Sequence, residues 1–332
     1  MPKHAERLTK IIEAFPNVTV TVLGDLVADE FVFGEIARVS REAPVLILRH
    51  REREVVPGGA ANAIYNLADL GVSVLPVGVV GDDEPGRLLL QRFRHKRIPL
   101  SGIQKIKGHT TVTKTRILAG FPHSARQQVV RIDQEPQMSP GGSIVRKLVS
   151  SARQYARASD ALLVSDYGYG AATPEILFNV RSAATDIAVT VDSRHRLLEY
   201  NGVTAATPNE PEVEEALGVR IGHDTAQLEA AGKLLLRRMA LQALVVTRGR
   251  DGMTVFPRGH KSVNIPIHGT DQVADVTGAG DTVIAAFTAA LAGGGDAEEA
   301  ARIANIAGGI VVTKRGTATV TAGELLHAVQ HG

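Results

Sequence analysis

The 332-residue sequence contains no cysteine, which excludes disulfides, thiolate-bound metal and a cysteine nucleophile. The missing disulfide framework is compatible with a reducing cytosol. An excess of either charge is also missing: 37 Lys and Arg stand against 35 Asp and Glu, so no global field points to nucleic acid, although 11 His would add positive charge at lower pH. Long apolar runs are absent as well. Those around 283–292 and 303–312 fall short of the roughly 20 residues that a membrane span needs. The start, Met1-Pro2-Lys3-His4-Ala5-Glu6-Arg7, leads into a mixed-charge helix without the apolar stretch of a signal peptide. No G-x-G-x-x-G follows the first strand, which weighs against a dinucleotide-dependent oxidoreductase. No His pair has metal spacing, so His109, His123 and His195 read as loop or surface residues. From these absences we expect a soluble cytoplasmic protein with no nucleic-acid or membrane partner.

What is present is an alternating α/β pattern, and 44% hydrophobic content is enough for a large core. Leu8, Ile11, Ile12 and Phe15 have helical spacing over 3–15, Pro16-Asn17 breaks that helix, and 18–23 is a β-branched buried strand closed by Gly24-Asp25. A strand ending in Gly-Asp puts the carboxylate at the carboxyl edge of a sheet, where open α/β folds bind ligands. Next, 31–34 and 45–48 read as strands with no helix between them, and 110–118 and 126–132 as a second extended pair. Together they predict a small antiparallel lid whose apolar face needs a cover, either substrate or a second subunit. Between and after them the spacing predicts helices to Leu70 and over 84–96, and strands over 73–78 and 161–165. Further on it predicts helices over 174–185, 210–217, 225–239 and 297–312 and from Thr321, with strands over 187–191, 203–206, 243–247 and 252–256. Such alternation means a mostly parallel sheet with helices on both faces.

Chemistry concentrates in Asp275-Val276-Thr277-Gly278-Ala279-Gly280-Asp281-Thr282, which opens a buried helix of small apolar residues. Helix N-termini carry unpaired N–H donors and a partial positive charge, so Gly278, Ala279 and Gly280 can present amides to developing anionic oxygen. Asp281 is then a carboxylate beside an anion hole, the pairing needed when a hydroxyl loses its proton as a phosphoryl group arrives. The same octet also reads as a tight turn with a capping aspartate. A second glycine stretch, Pro57-Gly58-Gly59-Ala60-Ala61-Asn62, lets backbone approach a sugar while Asn62 offers donor and acceptor to hydroxyls. In Asn209-Glu210-Pro211-Glu212, Asn209 suits a helix cap and Glu212 the capping-box position, a structural role that does not preclude a ligand role.

The octet resembles the C-terminal motif of the ribokinase-like (PfkB) carbohydrate kinases, whose last aspartate is the general base. The Gly58 to Asn62 stretch resembles their N-terminal signature, and Asn209 with Glu212 their Asn-x-x-Glu element near magnesium and the phosphates. Within the family the chain is most similar to the kinase domain of the bacterial heptose 7-phosphate kinases, through Leu23-Gly24-Asp25, Ser40-Arg41-Glu42-Ala43-Pro44-Val45, Thr113-Lys114-Thr115-Arg116, Val164-Ser165-Asp166-Tyr167 and Thr207-Pro208-Asn209-Glu210. The resemblance implies a single three-layer ribokinase-like domain over 1–332, with lid insertions at about 30–55 and 108–133 and no fused nucleotidylyltransferase. It implies ATP with Mg2+ near Thr247, Arg248, Gly249 and Asn305, and a γ-phosphate facing Gly278. Asp25 and Asn62 would hold sugar hydroxyls, with Gly58, Gly59, Asp166 and Asp192 also on the substrate side, and Asp281 would deprotonate the anomeric hydroxyl. A monovalent cation such as K+ would sit at Asp275 and Thr277 with carbonyls from 311–319.

The acceptor so implied is D-glycero-β-D-manno-heptose 7-phosphate, converted to the 1,7-bisphosphate on the route to ADP-heptose. Two positions depart from that subfamily: Tyr169 stands where it usually has lysine, and Asp192-Ser193-Arg194 replaces Asp-Pro-Lys. Lys114, Arg116 and Arg194 remain as candidate phosphate clamps, and arginine is not a geometric equivalent of lysine. Another sugar or nucleoside kinase of the family is the alternative. A non-catalytic sugar or nucleotide sensor is a further one, although it would call for a decayed base. We further expect a homodimer through the lid.

Overall fold

The computed structural model describes residues 3–120, 126–222, 224–269, 274–314 and 316–331, so His123 and part of the second lid insertion lie outside the described residues. Helix α1 (Lys3–Glu13) buries Leu8, Ile11 and Ile12, and Pro16 ends it in a tight turn before β1 (Thr19–Gly24). After Asp25 the chain forms a long hairpin, β2 (Leu26–Val39) and β3 (Leu46–Gly59), which runs directly into α2 (Ala60–Asp69). Then follow β4 (Ser73–Gly81), α3 (Glu84–His95), β5 (Ile103–Ile106), β6 (Val112–Gly120), β7 (Gln127–Gln134) and α4 (Gly142–Ala156). The remainder is β8 (Ala161–Asp166), α5 (Pro174–Val180), β9 (Ala188–Ser193), β10 (Ala205–Ala206), α6 (Glu210–Leu217), α7 (Thr225–Arg238), β11 (Ala243–Thr247), β12 (Met253–Pro257), β13 (Val263–Ile265), α8 (Ala279–Ala292), α9 (Ala297–Val311) and α10 (Ala322–His331).

Among the described residues the strands form a nine-stranded sheet, in the order β13-β12-β11-β10-β9-β8-β1-β4-β5, and a four-stranded one, β3-β2-β6-β7. In the large sheet every pairing is parallel except those of β12 with its two neighbours. One core packs α1, α2, α3, α8, α9 and α10 on one face, and a second packs α4, α5, α6 and α7 on the other, which is the expected three-layer arrangement. Gly24, Ser165 and Asp192 stand side by side at the carboxyl edge. A Cβ at Gly24 would collide with Ala60, so glycine there lets α2 close down on that edge.

The lid strands extend well beyond the 31–34 and 45–48 expected from apolar patterning. Arg49-His50-Arg51-Glu52-Arg53-Glu54 lies within β3 because its backbone is paired to β2, which needs no apolar side chains. The lid also contains a parallel pairing, β2 with β6, beside two antiparallel ones. Expected helix 174–185 stops at Val180 and continues as a short tight turn, while α4 was not foreseen because arginine and serine dilute its apolar stripe.

Candidate active site

Gly278 caps α8 in the left-handed region at φ 78°, and a Cβ there would collide with Nδ2 of Asn62. The absence of a side chain lets Asn62 donate both to the Gly278 carbonyl at 3.1 Å and to Oδ2 of Asp281 at 3.0 Å. The Tyr167 hydroxyl donates to the other oxygen, Oδ1, at 2.7 Å. Asn62 is held in turn by Asn66, whose Nδ2 donates to its Oδ1 at 3.1 Å. Burial pushes the Asp281 carboxyl up to about 7, against the pull of Asn62 and Tyr167. A buried carboxylate poised near neutrality, beside the first amides of a helix, can accept a proton where negative charge develops.

Asp25 does not stand open to a sugar. Its carboxylate accepts the backbone amides of Tyr167 and Tyr169 on Oδ2, at 2.9 and 3.0 Å, and that of Ala171 on Oδ1 at 2.8 Å. Burial raises it to about 6. Asp166 departs further from the expected substrate contact. It accepts Ser193 at 2.9 Å, Tyr200 at 2.8 Å, the Gly168 amide at 2.9 Å and a two-pronged bond from Arg196, and it is buried. Both carboxylates therefore hold loops: Asp25 pins 167–171, and Asp166 ties that turn to the segment after β9.

On the lid, Arg116 donates to Asp29 Oδ1 at 2.6 Å and lies over the Phe31 ring, so it is not free to clamp an anion as expected. A Cβ at Gly58 would lie 2.6 Å from Oδ2 of Asp29, which accounts for glycine at that position. Lys114 and Arg194 do face a common space, a cavity of about 350 Å³ lined also by Arg131, Asp133, Glu135, Tyr167, Tyr169 and His195. Burial, then Arg194, lowers the Lys114 ammonium. The Tyr169 hydroxyl donates to Glu135 at 2.8 Å, so it does not point an open donor into the cavity.

Beside the start of α8, a largely apolar cavity of about 210 Å³ is lined by Thr247, Gly249, Arg250, Ile267, Val276, Gly280, Val283 and Asn305, among others. Its lining suits a flat ring system, with Gly280 at its α8 end. Arg248 is outside it, paired to Glu210 at 2.8 Å, and Arg250 is the arginine that lines it. Asn209 and Glu212 form the anticipated capping box in both directions, at 2.9 Å each. Burial and the charges of Glu212, Asp281 and Asp166 push the Asp192 carboxyl well up. Among the described residues no group of three or more His, Asp or Glu is gathered as a metal cage. Asp275 accepts the Thr277 amide at 2.9 Å and the Gly316 amide at 3.2 Å, bringing the α8 loop against the expected 311–319 turn, of which residue 315 is not described.

Residues 26–322 match the family model described as "pfkB family carbohydrate kinase". The chain belongs to that family. It is 41% identical over 320 residues to the "Bifunctional protein HldE" of Geobacter sulfurreducens, covering 95% of this chain and 64% of that protein. It is 39% identical over 321 residues to the protein of the same name from Hahella chejuensis, with 95% and 64% covered. The chain thus spans less than two thirds of the length of these relatives. In fold it is similar to an Arabidopsis thaliana ribokinase complexed with ribose and ATP, at a TM-score of 0.74 and 19% identity, with 95% of this chain and 99% of that one covered. It is likewise similar to Escherichia coli phosphofructokinase-2 with substrates and products, at a TM-score of 0.77 and 18% identity, with the same coverage.

By family the chain is accordingly a carbohydrate kinase, and its fold is ribokinase-like. Asn62, expected at the sugar hydroxyls, instead spends its amide on Gly278 and Asp281, and Tyr167, Asn66, Asp29 and Arg131 join the site without having been expected there. Tyr167 stood in a quoted motif and carried a signal only in following Ser165-Asp166 at a strand end. Asp29 and Arg131 carried none, since each gains its setting from strand pairing in the lid.

Proposed function

We propose that this kinase transfers the terminal phosphoryl group of ATP to the anomeric hydroxyl of D-glycero-β-D-manno-heptose 7-phosphate, giving the 1,7-bisphosphate on the route to ADP-heptose. The observation that carries this reading is the cavity where buried Lys114 meets Arg194 and Arg131, which shares Tyr167 with Asp281. A sugar with its reacting hydroxyl at Asp281 and its far phosphate at Lys114 and Arg194 fits that arrangement, and the lid sequence 40–45 with Thr113-Lys114-Thr115-Arg116 supports the heptose branch. Asp281 takes the hydroxyl proton, while the amides of Gly278, Ala279 and Gly280 stabilise charge on the phosphoryl oxygens in flight. The adenine ring would occupy the cavity of Thr247, Gly249 and Asn305, with its triphosphate running toward Gly280. Magnesium would arrive with the nucleotide, held chiefly by phosphates and water, and would screen their charge from Asp192 and Glu212. Asp275 and Thr277, with carbonyls from 311–319, would take a monovalent cation such as K+.

The same proposal includes one kinase domain over 1–332, a cytoplasmic setting and a homodimer through the lid. Among the described residues no helix is long and apolar enough to cross a membrane. Val39, Val45, Leu46, Val129, Val130 and Ile132 are all exposed on the lid, and a second copy would cover them. The acceptor is tested by measuring ADP release with phosphorylated and unphosphorylated sugars. Heptose 7-phosphate should exceed heptose by roughly 10²-fold in kcat/KM, the scale of one or two charge-assisted hydrogen bonds. Equal values would return the protein to the wider sugar-kinase reading.

A further inference from the structure

We infer that Tyr167 is a positioning residue for Asp281, its phenol fixing the plane of the carboxylate that accepts the substrate proton. This rests on Asp281 acting as the base. Each carboxylate oxygen receives one donor, and the two donors come from different elements: Asn62 on α2 at 3.0 Å and Tyr167 in the turn after β8 at 2.7 Å. Two such bonds hold a carboxylate against rotation about its terminal torsion, which is otherwise broad. The turn carrying Tyr167 is itself fixed by the three amide bonds to Asp25 and by the Gly168 amide on Asp166. The ring also lies close to Gly59, at φ 54°, where a Cβ would stand 2.8 Å from Val27 and 3.3 Å from Cε2 of Tyr167. The buried Asp25, which at first sight is a sugar ligand, thereby acts on the base through the tyrosine.

The groups facing Asp281 are Asp29 from β2, Lys114 from β6 and Asp192 from β9, besides Asn62 and Tyr167. The acids and burial favour its neutral form, whereas Lys114 and the two donors favour the ionised one. Burial and the nearby Asp281, Asp192 and Asp29 push the Tyr167 phenol well above its ordinary value, so it remains a donor through the working pH range. Removing its hydroxyl leaves every opposing influence in place and one supporting bond fewer.

The test is the pH dependence of kcat and kcat/KM for Tyr167→Phe, taken from about pH 5.5 to 9.5 with whichever sugar phosphate the wild-type kinase turns over. We expect the acid limb to move up by about one pH unit, as loss of a hydrogen bond to a charged group predicts, which from a carboxyl near about 7 lowers kcat at pH 7 by about fivefold. Most of the rate should return at the alkaline end, with the KM for ATP and the melting temperature nearly unchanged. Site-specific 3-fluorotyrosine, a stronger donor, should move the limb the other way and covers the case in which phenylalanine disturbs the fold. An equal loss at every pH, or a higher sugar KM with kcat and the limb intact, would overturn the inference. Asp281→Asn separates the two readings: if it retains the wild-type rate, the base assignment itself fails, whereas an inactive Asp281→Asn beside a wild-type-like Tyr167→Phe sinks only the role of Tyr167.

Discussion

Around Asp281 the side chains that shape the chemistry are buried and bonded to one another, on elements anchored in the nine-stranded sheet. On the lid, β7 of the four-stranded sheet is exposed at all eight of its positions, and its cavity is lined by exposed Arg131, Asp133 and Arg194 beside the buried Lys114. On the function proposed above, the first region is a fixed device for a sugar hydroxyl brought to Asp281. The second is a surface whose charges can be changed without repacking a core. Phosphoryl transfer and acceptor choice are therefore separable, and each can be altered while the other is watched.

The largest effect should come from the buried side. Asp281→Asn should lower kcat by about 10²–10⁴-fold in steady-state assays, since it removes the proton acceptor. It should also change stability with a definite sign. Because the folded carboxyl is raised from 3.8 to about 7, the native state binds more protons than the unfolded chain between those values, and stability falls as pH rises through them. The neutral variant escapes that loss, at most about 4 kcal/mol for a shift of this size, so its melting temperature relative to wild type should climb between about pH 4 and 8. A variant that melts lower than wild type, by the same margin at every pH, would show that the buried carboxylate carries no such burden.

On the lid side, Lys114→Met should raise the KM for the sugar phosphate by about 10–100-fold, the effect of one charge-assisted contact, with a smaller fall in kcat. The KM for ATP should stay put. If kcat fell as far as with Asp281→Asn, the separation between the two regions would not exist. The smallest effect on the fold itself belongs to Ile132→Glu, within about 0.5 kcal/mol because the side chain is exposed. Its mark should be seen by light scattering at micromolar concentration, as dissociation of the proposed dimer. A variant that stays dimeric would locate the interface elsewhere.

Much of this was legible in the chain. Alternating strands and helices announced the three-layer fold, and the small apolar run behind Gly278 announced a buried helix with Asp281 on its first turn, as found. The lid insertions fell close to where they are found, but the first two strands within them are longer than their apolar runs, because a strand defined by cross-strand pairing carries no obligatory apolar period. Asp166, Arg116 and Arg248 were read as ligands because a charged residue beside a motif looks the same whether it meets a substrate or a partner. In the fold each meets a partner: Arg196, Asp29 and Glu210.

The sequence by itself determined whatever depends on residues within a few positions of each other. The Asn209 and Glu212 capping box, the Thr321 and Glu324 cap of α10 and the left-handed start of α8 are of that kind, set by local torsions and hydrogen bonds. Only the tertiary structure decided what surrounds the base. Asn62 reaches Asp281 across 219 residues of chain and Tyr167 across 114, because α2 and the turn after β8 converge on the same sheet edge. Nothing local records that convergence, and the character of a buried carboxylate is set by what lies around it in space.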